Sequence, residues 1–132
     1  GLWPKGVSSL DQSESAMLEL TTQRAELVDG QDILELGCGW GSLTLYMAEH
    51  FPKSKITAVS NSYDQRQFIE ERCRQLKLDN VRVITADMND FEAEGLFDRV
   101  VSIEMFEHMR NYEKLLAYSN TYFIYHKCFW AK

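Results

Sequence analysis

Apolar and polar positions recur along this chain with two different periods, and the switches between them mark its elements. Ser9 with Gln12 three residues on has the spacing of a capping box. Met17, Leu20, Arg24 and Leu27 follow at helical spacing beside Ala16, and Gly30 suits a C-terminal cap. Residues 11–28 are therefore predicted to form an amphipathic helix. The period then shortens. Residues 32–36 (Asp-Ile-Leu-Glu-Leu) read as a strand, broken by Gly37-Cys38-Gly39-Trp40-Gly41. Residues 42–50 read as a helix stopped by Pro52, and residues 55–59 as a second strand. A charge-laced helix is predicted over 63–78, with Phe68, Ile69, Cys73 and Leu76 facing inward. Residues 81–85 form a third predicted strand, and 97–103 contain a fourth, followed by a helix over about 104–117.

Strands alternating with helices predict an α/β fold with a mostly parallel sheet and flanking helices. In the last 15 residues, Tyr118, Tyr122, Phe123, Tyr125, Phe129 and Trp130 crowd together without Gly or Pro. A fifth strand over 121–125 suits them, but nothing after it reads as a closing helix and hairpin. Residues 1–29 are taken as an N-terminal flanking helix of the same domain, and 30–132 as its core.

Composition narrows the classes. The chain has 132 residues, 45% apolar and 26% charged, as one globular domain requires. Acids outnumber bases 20 to 14, for a net charge of -6. That balance argues against binding nucleic acid through a basic surface. No apolar run approaches the ~20 residues that span a bilayer, and Gly1-Leu2-Trp3-Pro4-Lys5 has neither signal-peptide nor transit-peptide character. The three cysteines, Cys38, Cys73 and Cys128, have no metal-ligand spacing. They read as free thiols in a reducing, cytoplasmic setting, with no zinc site.

The glycine loop is the sharpest chemical signal. It leaves a predicted strand and enters a predicted helix, where glycine lets backbone approach a ligand and the helix offers free N–H groups. Dinucleotide folds use G-x-G-x-x-G with an acid about 20 residues later for the ribose. Here the glycines run G-x-G-x-G behind Glu35, and Ser60 and Asn61 follow the second strand instead of an acid. A nicotinamide dinucleotide is disfavoured.

Glu35-x-Gly37-x-Gly39-x-Gly41 resembles the first motif of class I S-adenosylmethionine-dependent methyltransferases. Three further stretches look like one branch of that class: Ser60-Asn61-Ser62 with Gln65, Ile69-Glu70-Glu71-Arg72-Cys73, and residues 102–109, which read Ser-Ile-Glu-Met-Phe-Glu-His-Met. The branch holds the cyclopropane-fatty-acid synthases and the coclaurine-type amine N-methyltransferases, and the likeness covers residues 1–116. It implies a Rossmann-like class I methyltransferase fold with S-adenosyl-L-methionine as cofactor. The fold would be incomplete at both ends, since the family core has seven strands.

The resemblance also implies site residues. Glu35, Gly37, Cys38, Gly39 and Gly41 would form the cofactor loop, with the Cys38 thiol itself a small buried hydrophobe. Ser60, Asn61 and Gln65 would lie near the ribose and methionine parts. Gln65 serves equally well in a capping box with Ser62. Asp87 would meet the adenine amino group and Met88 the ring. Glu104, Glu107 and His108 have the i, i+3, i+4 spacing that shares one helical face. Two carboxylates beside an imidazole can hold a cationic amine and remove its proton. Cyclopropane synthases usually carry a small residue at the position of Glu104, so that residue favours a small-molecule amine over a lipid acyl chain as acceptor. A dinucleotide-dependent oxidoreductase and a non-catalytic cofactor-binding module are the rival classes.

Overall fold

The computed structural model describes residues 7–87, 90–92, 96–102 and 122–124. Its elements run α1 (Val7–Arg24), β1 (Asp32–Leu36), α2 (Ser42–His50), β2 (Lys55–Ser60), α3 (Tyr63–Leu76), β3 (Val81–Thr85), β4 (Arg99–Ser102) and β5 (Tyr122–Ile124). The strands pair in parallel as one sheet of order β3-β2-β1-β4-β5. Strand order reverses between β1 and β4, and open sheets of this kind bind ligands beyond the carboxyl ends at such a reversal. Register keeps those ends level: Leu36 lies opposite Val59, Ser60 opposite Thr85, and Glu35 opposite Val101. The predicted helix over 104–117 lies outside the described residues.

The three helices share one face of the sheet. Ile33, Ile56 and Val101 meet Leu43 and Met47 of α2 and Leu18 of α1, with Ala25 and Leu27 of the following turn. Ala58, two residues beyond Ile56 and so on the same face, meets Ile69 and Cys73 of α3. Each such large apolar side chain contributes about 1.5–3 kcal/mol on burial, which is what holds the helices to the sheet.

Helix boundaries depart from the sequence reading for one physical reason. α1 begins at Val7, so Ser9 lies inside it and not at its cap, and it ends at Arg24. Glu26 adopts φ 57; its N–H bonds Gln23 O, and the Leu27 N–H bonds Thr22 O, both at 3.0 Å. This is the Schellman arrangement, formed without glycine at its left-handed position. Gly30 instead takes φ +98 in the turn before β1, its N–H bonded to Ser54 Oγ at 3.0 Å. α3 ends two residues early in the same way: Lys77 has φ 58, and the Leu78 N–H bonds Cys73 O at 2.8 Å.

Two side chains expected inside are exposed. α1 turns Leu18, Thr21 and Thr22 inward, leaving Leu20 37% exposed. Thr21 and Thr22 hide their hydroxyls on Met17 O and Glu19 O, both at 2.8 Å, and so serve as apolar surface. In α3 the inward positions are Ile69 and Cys73, which displaces Phe68 to the flank at 45% exposure. There its ring meets Trp40 edge to face, with centroids 5.4 Å apart.

Asn80, just before β3, locks the layers together. Its Nδ2 donates to Ala48 O at 3.3 Å and to Phe51 O and Ser54 O, each at 3.1 Å. These carbonyls belong to the end of α2 and the turn into β2. Asn80→Ala would leave them without that donor and is expected to cost about 1–3 kcal/mol, read as a lowered midpoint in urea; an unchanged midpoint would refute the clamp.

Candidate functional site

The glycine loop occupies the carboxyl end of β1, where the sheet order reverses. Its first two amides, Gly37 N and Cys38 N, both donate to Val59 O, at 3.0 and 3.1 Å. Gly41 N closes the turn on Cys38 O at 3.0 Å, and Leu45 N begins the α2 ladder on Gly41 O at 2.8 Å. Gly37, Gly39 and Gly41 all have positive φ. At Gly41 the requirement is double: φ is +91, and a Cβ would come 2.7 Å from Ile69 Cγ1. At Gly39 a Cβ would meet nothing within 4 Å among the described residues, so this part of the loop offers bare backbone to a ligand. Gly41 is the N-cap of α2, and no side chain caps that helix start. Its free first-turn N–H groups and positive dipole end suit electron-rich ligand atoms.

Beneath the loop lies a polar cluster. Glu35 is 2% exposed, and its Oε1 accepts a hydrogen bond from Thr44 Oγ1. Thr44, at 0% exposure, belongs to the first turn of α2. Burial pushes the Glu35 carboxyl up to about 8, against the opposing effect of the Thr44 bond. Glu35 is therefore mostly neutral at pH 7. Cys38 is also buried, and burial together with the Glu35 charge raises its thiol to about 12. A thiol that stays protonated is a weak nucleophile, which suits the structural role expected for its side chain.

Beyond β2 the candidate residues divide. Ser60 is buried, and its hydroxyl accepts from Ser62 N at 3.0 Å and lies 2.9 Å from Gln65 Oε1, to which it donates. Ser62 Oγ in turn accepts from Gln65 N at 3.2 Å and caps α3. The capping reading of Ser62 thus holds in part: Ser60, and not the Gln65 side chain, receives the Ser62 N–H. Asn61 is exposed at the same edge. Asp87 is exposed beyond β3, where Ala86 N still bonds Ser60 O at 2.8 Å. The fold thereby brings Glu35, the glycine loop, Ser60, Asn61, Gln65 and Asp87 to one edge of the sheet. Met88, Glu104, Glu107 and His108 lie outside the described residues.

Two polar residues at this edge escaped the sequence reading. Thr44 meets Glu35 only through the fold, since a nine-residue separation across a turn has no periodic signature. Ser102 closes β4 with 3% exposure, and its Oγ has no hydrogen-bond partner among the described residues. Among these residues no helix is long and apolar enough to cross a membrane, and the described cysteines, Cys38 and Cys73, are free and buried.

Comparison with known proteins bears on this edge. The family described as Mycolic acid cyclopropane synthetase matches residues 2–127. (S)-coclaurine N-methyltransferase of Thalictrum flavum subsp. glaucum is 49% identical over 109 residues, 83% of this chain and 30% of that protein. Pavine N-methyltransferase of the same plant is 41% identical over 128 residues, 92% of this chain and 36% of that protein. A crystal structure of coclaurine N-methyltransferase bound to N-methylheliamine and SAH superimposes with a TM-score of 0.83 at 42% identity, covering 87% of this chain and 36% of that one. The chain thus spans about a third of the length of these relatives.

The buried carboxyl gives a pH signature. Because folding raises Glu35 from 4.5 to about 8, the native state holds a proton that the unfolded chain releases. The stability it contributes is complete below pH 4.5 and is lost as pH rises to about 8. Glu35→Gln is expected to flatten the fall in melting temperature across that window. Parallel profiles for the two proteins would show that Glu35 does not titrate there.

Proposed function

This chain belongs to the mycolic acid cyclopropane synthetase family, and from that we propose that it carries the cofactor-binding core of an S-adenosyl-L-methionine-dependent methyltransferase acting on the nitrogen of a small-molecule amine. The observation that carries the reading is the glycine loop. It presents open backbone and an uncapped helix start at the sheet's reversal, beside Ser60 and Asn61 in place of a ribose-binding acid. The residues present fit the cofactor's parts. Gly37, Cys38, Gly39 and Gly41 would hold its methionine portion with backbone, supported by Glu35. Ser60, Asn61 and Gln65 would serve the ribose and methionine parts with neutral hydrogen bonds. Asp87 would accept from the adenine amino group, and Met88 would pack on the ring. We also assign the protein to a reducing, cytoplasmic compartment, in keeping with its buried free thiols.

When bound, the cofactor supplies an electrophilic methyl group on a sulfonium. The protein's task is to present a neutral amine lone pair in line with it. Glu104 attracts and orients the ammonium form of the acceptor, His108 takes its proton, and Glu107 orients the imidazole or shares its proton. The amine acceptor is favoured over a lipid acyl chain by the similarity to the two plant N-methyltransferases and by Glu104 itself.

Calorimetric titration with S-adenosylhomocysteine, with NADH as control, tests the cofactor; binding of NADH alone would overturn the reading. Methyl transfer is then screened on amines and on vesicles of unsaturated phospholipid. Modification of the lipid alone would replace the amine reading with the family's cyclopropanation chemistry. Glu104→Ala and His108→Ala are expected to keep S-adenosylhomocysteine affinity while turnover falls by roughly 10²–10⁴. Full turnover in both variants would remove these residues from the mechanism.

A further inference from the structure

We propose that Thr44 is a positioning residue of the cofactor site, its hydroxyl holding the first turn of α2 in register with Glu35 of β1 so that the glycine loop between them keeps its binding shape. The inference rests on the reading that this loop holds S-adenosyl-L-methionine. It stands on how the loop is tied. From the β2 side, Gly37 and Cys38 are anchored by their amides to Val59 O. On the inner side, β1 enters and α2 leaves, and the Glu35–Thr44 bond is the side-chain hydrogen bond that joins these two elements among the described residues. Strand and helix are therefore tied through one hydroxyl at the root of the loop that connects them.

The setting gives that atom leverage. Glu35, Cys38 and Thr44 are 2%, 6% and 0% exposed, so water cannot replace a lost bond. Apolar contacts can slide with little change in energy, whereas a hydrogen bond fixes distance and direction. On its other side the start of α2 runs close to α3, where a Cβ at Gly41 would come 2.7 Å from Ile69 Cγ1. A rotation of the first turn would reorient the free N–H groups at the helix start and the open backbone at Gly39, the groups a ligand would meet. An apolar pair would pack the same space without the desolvation that a buried acid suffers. What such a pair lacks is the directional tie.

The test separates positioning from stability. Affinity for S-adenosylhomocysteine and melting temperature are measured for the wild-type protein and for Thr44→Val, Thr44→Ser and Met47→Ala. The last removes a fully buried side chain of the same helix that has no place in the site. Thr44→Val is expected to bind at least about tenfold more weakly, and Thr44→Ser to return within about threefold of wild type. Met47→Ala is expected to melt at least as low as Thr44→Val yet to bind within about threefold of wild type. Should Thr44→Val fail to fold, the double variant Glu35→Leu/Thr44→Val restores an apolar pair. It is expected to fold and still bind at least about tenfold more weakly. Near-wild-type affinity in Thr44→Val or in the folded double variant would overturn the inference. So would an equal loss of affinity in Met47→Ala. A wild-type protein that does not bind S-adenosylhomocysteine would overturn the underlying reading instead.

Discussion

The turn from β1 into α2 has to pass against α3, and the geometry of the carboxyl edge follows from that contact. Gly41 lies where any side chain would collide with Ile69, at a φ of +91 that side chains rarely adopt. The contact lets α2 start close to the sheet, which places Thr44 over Glu35 and leaves the helix start open. It also leaves the backbone at Gly39 with no neighbour on its Cβ side among the described residues. A bulkier turn would push α2 away and lose the buried hydrogen bond and the concave edge together.

Electrostatics at this edge is governed by exclusion of water. Glu35 sits on a central strand between β2 and β4, where an ionised carboxylate is poorly solvated, so it holds a proton near neutrality. The neutral Ser60, Asn61 and Gln65 line the end of β2 above it, and Asp87 adds a carboxylate at the exposed end of β3. A buried neutral acid with an exposed polar rim supports a ligand through hydrogen bonds and shape. At the end of β4 the buried Ser102 adds a hydroxyl that has no hydrogen-bond partner among the described residues.

Rigidity behind the edge comes from small, local devices. Asn80 ties three carbonyls at the far end of α2 to the approach of β3, so α2 is fixed at both ends. Two Schellman turns, built on Glu26 and Lys77, return the chain toward the core through Leu27 and Leu78. Leu27 is buried and Leu78 packs against both apolar clusters. The gain at each turn comes from packing that leucine against the core, which offsets the strain of a left-handed side-chain residue.

The sequence by itself determined the alternation of strands and helices, the parallel sheet, the extent of β1, α2 and β3, and the loop that marks the family. These follow from periodicity and from glycine spacing, both local properties of the chain. It also carried the residues of the edge, because Ser60 ends β2, Asn61 follows it, Gln65 lies in the first turn of α3 and Asp87 lies just past β3, so all must emerge where the strands end. Only the tertiary structure decided where α1 and α3 stop, since Glu26 and Lys77 enter the left-handed region and pack the leucine after each against the core. It likewise decided which side chains face inward: Phe68 and Ile69 are equally apolar neighbours, and contact with Gly41 selects Ile69. The pairing of Glu35 with Thr44 belongs to the same class. Neither residue encodes it alone; it exists because the turn forced by Gly41 brings a strand and a helix together where water is excluded.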